Sequence, residues 1–456
     1  MSFGHATRLP LVSAVAGLAL LPVAYAQQLS QPTAPAFAAQ PEDGQWTMPT
    51  KNYAGTRYSE LAEINTENVK NLQVTFTFSL GVNRGQESAP LVVGNTLYVV
   101  SPYPNILYAL DLTQPGAPLK WQYNPKPSSS AQGVACCDTV NRGPTYADGR
   151  IFFTTLDAHV VAVNAESGEE IWKVKLGEIN KGETMTMAPT VVRDKVIVGI
   201  SGGEYGVRGW IESLDAITGK SVWKAYSTGP DRDVKIGPAF KPFYEQDKGK
   251  DLGVSTWPPN AWEQGGDTVW GFVTYDPDQH LIFYGTANPG PWNPNQRPGA
   301  NKWTAGIFAR DADTGDARWF YQWNPHDLHD WDGINENILV DLDWKGQQRK
   351  VLVHPDRNGL VYVVDRTTGE VLSANFYHAV NSHEGVDLTT GRIKVKSDKY
   401  PIQNQVIRNS CPTAPGAKDW SPSSFSHKTG LLYIPHNNLC MDWESQYEWQ
   451  REDEVR

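Results

Sequence analysis

Short runs in which apolar and β-branched residues alternate with polar ones recur along this chain, and they mark strands rather than helices. Val160 to Val163 is one such run; it leads into Asn164-Ala165-Glu166-Ser167-Gly168 and then Trp172. The same arrangement returns as Asp215-Ala216-Ile217-Thr218-Gly219 before Trp223, and as Asp311-Ala312-Asp313-Thr314-Gly315 before Trp319. Ala109-Leu110-Asp111 leads to Trp121, and Asp365-Arg366-Thr367-Thr368-Gly369 is a fifth copy without the tryptophan. In each copy the Asp or Asn caps the amides of a tight turn, and the glycine takes positive φ. The tryptophans are assigned to packing between neighbouring units.

Successive copies lie about fifty residues apart, which is the size of a propeller blade. The step from Asp215 to Asp311 is about twice that, so a further copy is expected near Tyr275-Asp276-Pro277-Asp278. Strand-and-turn units read near 91–112, 149–172, 189–223, 273–319, 350–372 and 424–440. Helical patterning is scarce. The expected fold is all-β, a propeller with blades of four antiparallel strands. A propeller closes on itself to remove its sheet edges, and about six units followed by a charged tail read either as a fragment or as an unusual closure.

Composition narrows the setting. The chain is acidic, with net charge −10, which argues against nucleic acid or anionic membrane as a partner. Its 17 tryptophans, 40 glycines and 32 prolines fit a turn-rich, aromatic-rich fold. At the N-terminus, Arg8 precedes an apolar run from Leu11 to Val23, and Ala24-Tyr25-Ala26 is a cleavage site before Gln27. Residues 1–26 therefore read as a signal peptide, 27–43 as a Gln/Pro/Ala-rich disordered lead, and 44–456 as the propeller domain. No later segment approaches a membrane span.

Export places the four cysteines in an oxidising compartment. Cys136 and Cys137 are adjacent. A disulfide between them closes no long loop and so adds little entropic stability, and the rival reading is two reduced cysteines packed as small hydrophobes. With that pair bonded, Cys411 and Cys440 make a natural second pair.

Four stretches carry residues that a blade does not need. The first is Cys136-Cys137 with Arg142. The second is Ser201-Gly202-Gly203-Glu204-Tyr205-Gly206, whose glycines let backbone approach a ligand. The third joins Gly265-Gly266-Asp267-Thr268-Val269-Trp270 to Thr286-Ala287-Asn288, with Trp270 outside the repeat phase. The fourth is Pro325-His326-Asp327-Leu328-His329-Asp330-Trp331-Asp332. Oxygen donors such as Glu204, Asn288, Asp330 and Asp332 suit a hard cation rather than zinc or copper. Three carboxylates around one ion match a trivalent charge. His326 and His329 lack zinc-site spacing and read as loop residues. No Cys-x-x-Cys-His haem site and no dinucleotide-binding fingerprint is present.

Taken together, these stretches make the chain resemble the periplasmic pyrroloquinoline quinone (PQQ) dependent methanol and alcohol dehydrogenases. Agreement runs from Trp46 and Gly55-Thr56-Arg57-Tyr58-Ser59 to Cys440-Met441-Asp442-Trp443-Glu444, and the run Cys-Cys-Asp-x-Val-Asn-Arg-Gly at 136–143 is highly specific. The resemblance implies an eight-bladed propeller with PQQ on its axis and a C-terminally truncated member of the family. It implies a quinone between the Cys136–Cys137 disulfide and Trp270, contacted by Glu87, Arg142, Thr186, Ser201, Gly202, Gly203 and Thr268. Arg357 would lie near the reactive carbonyls, and Asp419 in a further cofactor-contacting position. Glu204, Asn288 and Asp330 match the metal ligands. The position of Asp332 is small and uncharged in the calcium-dependent relatives and aspartate in the lanthanide-dependent ones, although Leu328-His329 departs from their usual Glu-Trp. A lanthanide(III) ion is therefore expected ahead of Ca2+.

The implied activity is oxidation of a primary alcohol such as methanol or ethanol to the aldehyde. Asp330 would act as the general base, and a soluble cytochrome c in the periplasm would accept the electrons. The rival readings are a non-catalytic envelope propeller that displays binding loops, and a truncated dehydrogenase without activity.

Overall fold

The computed structural model describes residues 44–400 and 404–444. The expected signal peptide (1–26) and disordered lead (27–43) lie outside them. Five four-stranded antiparallel sheets follow one another along the chain, at 91–123, 145–175, 190–226, 274–322 and 338–376. In each sheet the strand order is the chain order, as in a propeller blade. Three two-stranded pairs follow: His383–Asp387 with Arg392–Val395, Val406–Ser410 with Met441–Glu444, and Ser424–Ser426 with Leu431–Tyr433. The unit read near 424–440 is thus present as a hairpin. The described residues contain five full blades, not eight. Among them, no helix is long and apolar enough to cross a membrane.

The missing copy expected near Tyr275 does not exist. Tyr275 and Asp276 end the first strand of the fourth blade, Thr274–Asp276. The double spacing comes instead from residues 227–273, an excursion between blades three and four that holds the short helices Asp231–Val234 and Leu252–Ser255. The Asp or Asn of every copy ends the third strand of its own blade.

Those aspartates act as expected. Asp215 Oδ1 accepts from the amides of Ile217 and Thr218, and Gly219 N donates to Asp215 O at 2.8 Å. One β-bulge recurs just before the turn in all five blades, between Ala109/Leu110, Ala162/Val163, Ser213/Leu214, Ala309/Arg310 and Val363/Val364. Bulges re-aim the chain that follows, and here that chain is the strand carrying the tryptophan.

Each tryptophan docks on the turn of the next blade. The Trp172 indole donates to Ala216 O at 3.2 Å, that of Trp223 to Ala312 O at 3.1 Å, and that of Trp319 to Arg366 O at 3.0 Å. Three residues beyond each acceptor stands the turn glycine, Gly219, Gly315 or Gly369. A methyl on any of them would meet the indole ring at 2.9 Å or closer. Trp121 stacks under Gly168 in the same way, but its N–H has no partner, because the Tyr98 hydroxyl donates to Ala165 O instead. The largest apolar clusters therefore lie between blades. One joins Ile197, Ile211 and Trp223 of blade three to Ile282, Phe308 and Phe320 of blade four.

This topology sorts the loops. With four antiparallel strands per blade, the link from strand two to strand three and the link from strand four to the next blade emerge at the same end. The Asp–Gly turns emerge at the other. Every candidate site residue within the five blades falls on the first kind of link.

Gly315 takes φ +74° and a methyl there would stand 2.5 Å from the Trp223 ring, whereas Gly346 at φ +82° faces open space. Gly315→Ala is expected to cost about 3 kcal/mol, the sum of backbone strain and overpacking, and Gly346→Ala about 1 kcal/mol. Trp223→Ala should cost about 4 kcal/mol. Urea unfolding followed by far-UV circular dichroism measures all three; equal losses in the two glycine variants would mean that the indole contact contributes nothing.

Candidate functional site

A cavity of about 400 Å³ opens at the loop-bearing end, within the range of small-molecule sites. Glu87, Cys136, Cys137, Arg142, Thr186, Ser201, Gly202, Glu204, Thr268, Trp270, Asp330, Asp332, Arg357 and Asp419 all line it. These residues come from the segment before the first blade and from seven links between strands. Gly203 and Asn288 stand behind the wall: Gly203 is buried near Thr268, and the Asn288 amide donates to Asp332 Oδ1 at 2.6 Å.

One side of the cavity is a hydrogen-bonded line. Arg142 pairs with Glu87 at 2.8 Å and donates to Thr186 Oγ1 at 2.8 Å, and that hydroxyl lies 3.0 Å from Ser201 Oγ. Burial raises the Glu87 carboxyl, against the opposing pull of Arg142. The guanidinium carbons of Arg142 and Arg357 lie 4.4 and 5.6 Å from the centroid of the Trp270 ring. An indole flanked by two guanidinium groups suits a flat ligand that carries carboxylates. The Cys136–Cys137 disulfide is formed and exposed at the mouth, so the reading as reduced, buried cysteines is set aside.

The other side is an acidic cluster around Arg357. Its guanidinium meets Asp419 at 2.6 Å and Asp332 at 3.1 Å, and donates to the backbone oxygen of Asp330 at 2.9 Å. Asp330 stands in the left-handed region at φ +66°. Its turn is held by Asp327, whose carboxylate accepts from the amides of Asp330 and Trp331 at 2.9 and 3.1 Å. Burial pushes the Asp327 carboxyl up to about 6. Burial also pushes Asp332 up, to about 7, although Arg357 opposes it; Asp330 is raised well above the ordinary carboxylate range by burial and then by Asp332. Arg357 is raised: burial disfavours its charge, but Asp332, Asp419 and Asp330 outweigh that.

The donor set fits a hard cation. Asp330, Asp332, Asp419 and Glu204 face a single uncommitted guanidinium, because Arg142 is matched by Glu87. Asp330 Oδ1 is buried without a hydrogen-bond partner. Unbalanced buried carboxylates call for a metal or a proton. The geometry differs from the expectation in one respect. Among the described residues, the group whose ligand atoms converge within 4.8 Å is Cys136, Cys137 and Glu204, not the three carboxylates. Disulfide sulfurs are not thiolates and make poor ligands. Glu204 thus shares the cavity with Asp330 and Asp332 but is exposed and turned toward the disulfide. His326 stacks with Tyr400, and His329 stacks on Trp331 at 4.0 Å; neither lines the cavity.

The sequence reading missed Asp327, Trp420 and Pro415. Asp327 sat in a stretch already singled out, but nothing in its pattern separates a carboxylate that binds amides from one that binds a ligand. Trp420 neighbours Asp419 and forms part of the cavity wall.

A family model described as the PQQ-type glucose/ethanol/alcohol dehydrogenase β-propeller domain matches residues 46–386. A lanthanide-dependent methanol dehydrogenase of Methylacidiphilum fumariolicum is 51% identical over 404 residues, which cover 88% of this chain and 66% of that protein. Subunit 1 of the cytochrome c methanol dehydrogenase of Methylobacterium organophilum is 46% identical over 444 residues, covering 95% and 70%. The solved structure of a europium-containing methanol dehydrogenase superposes with TM-score 0.87 at 50% identity, covering 88% of this chain and 70% of that one. The chain spans about two thirds of the length of the curated relatives it matches.

The two disulfides differ in what they close. Cys136–Cys137 has a sequence separation of 1 and Cys411–Cys440 of 29. Replacing both members of the first pair by serine should change unfolding stability by less than about 1 kcal/mol, and opening the second should cost about 3 kcal/mol. Urea midpoints of the two double variants test this. Equal losses would make the vicinal pair a structural staple.

Proposed function

This chain belongs to the PQQ-type glucose/ethanol/alcohol dehydrogenase family, and on that premise we propose that it is a periplasmic quinoprotein that oxidises a primary alcohol such as methanol or ethanol to the aldehyde. The observation that carries the reading is the pairing, in one cavity, of an acidic cluster around Arg357 with an indole flanked by two guanidinium groups. PQQ would be held by Glu87, Arg142, Thr186, Ser201, Gly202, Gly203, Thr268, Trp270 and Asp419, beside the Cys136–Cys137 disulfide. The cation would be held by Glu204, Asn288, Asp330 and Asp332.

When bound, PQQ supplies a two-electron acceptor and the cation a Lewis acid. This chain's residues do the rest. Asp330, which lines the cavity and whose Oδ1 has no hydrogen-bond partner, takes the alcohol's hydroxyl proton as general base. Arg357 stays charged among its aspartates and stabilises negative charge on neighbouring oxygens. Trp270 gives the cavity a flat aromatic wall next to both guanidinium groups. Electrons pass to a soluble cytochrome c, and the chain's net charge of −10 steers a basic partner toward it.

The charge count favours a trivalent ion. Asp332 adds a carboxylate beside Asp330, and relatives about half identical to this chain are named lanthanide-dependent or europium-containing. Purified protein given PQQ with LaCl3 should retain the quinone's absorption through gel filtration and support dye-linked oxidation of a primary alcohol. Asp332→Ala should lower lanthanum-supported turnover by about a hundredfold while sparing calcium-supported turnover. Absence of bound quinone with either cation would overturn the reading, and unchanged lanthanum turnover in Asp332→Ala would return the preference to Ca2+.

A further inference from the structure

Arg357 touches Asp330 and Asp332, two of the three carboxylates assigned to the cation, and Asp419 beside them, yet it stands on the short link between the second and third strands of blade five. Its own blade holds the neighbouring Asp356 and Asn358, with Asp356 N donating to Leu360 O and Asn358 N to Asp356 Oδ1, but among the described residues no blade-five bond reaches the Arg357 peptide oxygen. The turn at Thr413–Asp419 holds that oxygen. Ala417 N donates to Arg357 O at 2.8 Å. Gly416, at φ +77°, lies so close that a methyl on it would stand 2.7 Å from both the Cα and the carbonyl oxygen of Arg357. The same turn supplies Asp419 to the guanidinium and takes the Trp331 indole N–H on Thr413 O at 2.9 Å, between Asp330 and Asp332 in sequence.

On the far side of this turn Ala414 N donates to Met441 Sδ, and Asn437 holds the Gly416–Ala417 peptide. The Asn437 amide donates to Ala417 O at 2.9 Å, and its Nδ2 donates to Gly416 O at 2.9 Å. The Gly416–Ala417 peptide is therefore clamped, with Asn437 on one side and the Arg357 backbone on the other. Three residues beyond Asn437, Cys440 is bonded to Cys411, at the start of the turn. The clamp and the turn are thereby tied into one closed loop.

We propose that Asn437 is a positioning residue for Arg357, acting through the Gly416–Ala417 peptide. It touches neither the cavity nor any residue assigned to the cation, and it acts only through backbone. Displacing a supporting group of this kind degrades the geometry of a site without unfolding it. The inference rests on the quinoprotein reading for its catalytic consequence, and on geometry alone for its structural one.

The experiment compares Asn437→Ala, Asn437→Asp and Asn437→Gln with the unmodified chain. Asn437→Asp keeps the shape and loses the Nδ2 donor; Asn437→Gln keeps a donor. Hydrogen exchange at Ala417, whose amide is bonded to Arg357 O, should speed up about tenfold or more in the Ala and Asp variants and be partly restored in the Gln variant. Affinity for PQQ in the presence of LaCl3, read from tryptophan fluorescence, should weaken about tenfold in the same order. The alcohol kcat should fall with KM changed less than about twofold. Unchanged exchange at Ala417 in Asn437→Ala and Asn437→Asp would overturn the proposal, as would full function in the Asp variant. If the unmodified chain binds no PQQ, the functional reading fails by itself, and the exchange measurement still decides the positioning role.

Discussion

The contact between each tryptophan and the turn glycine of the following blade sets the frame for everything else. An indole of this size cannot approach a turn unless the residue it meets lacks a Cβ, and the turn cannot take its shape without positive φ. Glycine meets both demands, at Gly168, Gly219, Gly315 and Gly369. The indole N–H then finds a carbonyl oxygen three residues upstream of the glycine in three of the four cases, so a buried donor is not left open. Because the stabilising contact recurs at one end of the blades, the opposite end is released from packing duty, and its links vary freely in length and chemistry.

That freedom has been used to concentrate charge. At the loop end, Arg142 and Glu87 neutralise each other, whereas Arg357 faces Asp330, Asp332 and Asp419 with Glu204 nearby. Asp330 and Asp332 are the more buried members of this cluster, and a fold does not retain a surplus of buried carboxylate for stability, since removing charges from water is costly. The imbalance is what the proposed cation would relieve.

Much of this was legible in the sequence. The blade repeat, the turn aspartates and the packing role of the tryptophans follow from local patterns that the fold preserves, and most of the candidate residues do meet in one cavity. The miscounted blade shows where local reading fails. An insertion of residues 227–273 doubles the spacing without adding a turn, and periodicity alone cannot tell an excursion from a degenerate copy. Glu204 shows a second kind of failure. Its sequence context of glycines and polar residues signals closeness to a ligand, but not the direction in which an exposed carboxylate points. Asn437 gave no signal at all, because a residue that works through two backbone carbonyls belongs to no motif.

The donor set divides into two halves of different character. Asp330 and Asp332 are fixed by partners deep in the fold: Asp327 through two firm amide contacts, Asn288 through its backbone, and Arg357 through a guanidinium that meets the Asp332 carboxylate and the Asp330 peptide oxygen. Their positions, and the left-handed backbone at Asp330, are therefore maintained by the scaffold. Glu204 is different. It is exposed on a single turn bounded by Gly202 at φ +106° and Gly206 at φ +74°, beside a disulfide that closes no loop. A site built this way holds its charge in place from one side and keeps the other side adjustable. On the proposed reading, the rigid half would hold the cation, and Glu204 would meet it from a glycine-bounded turn.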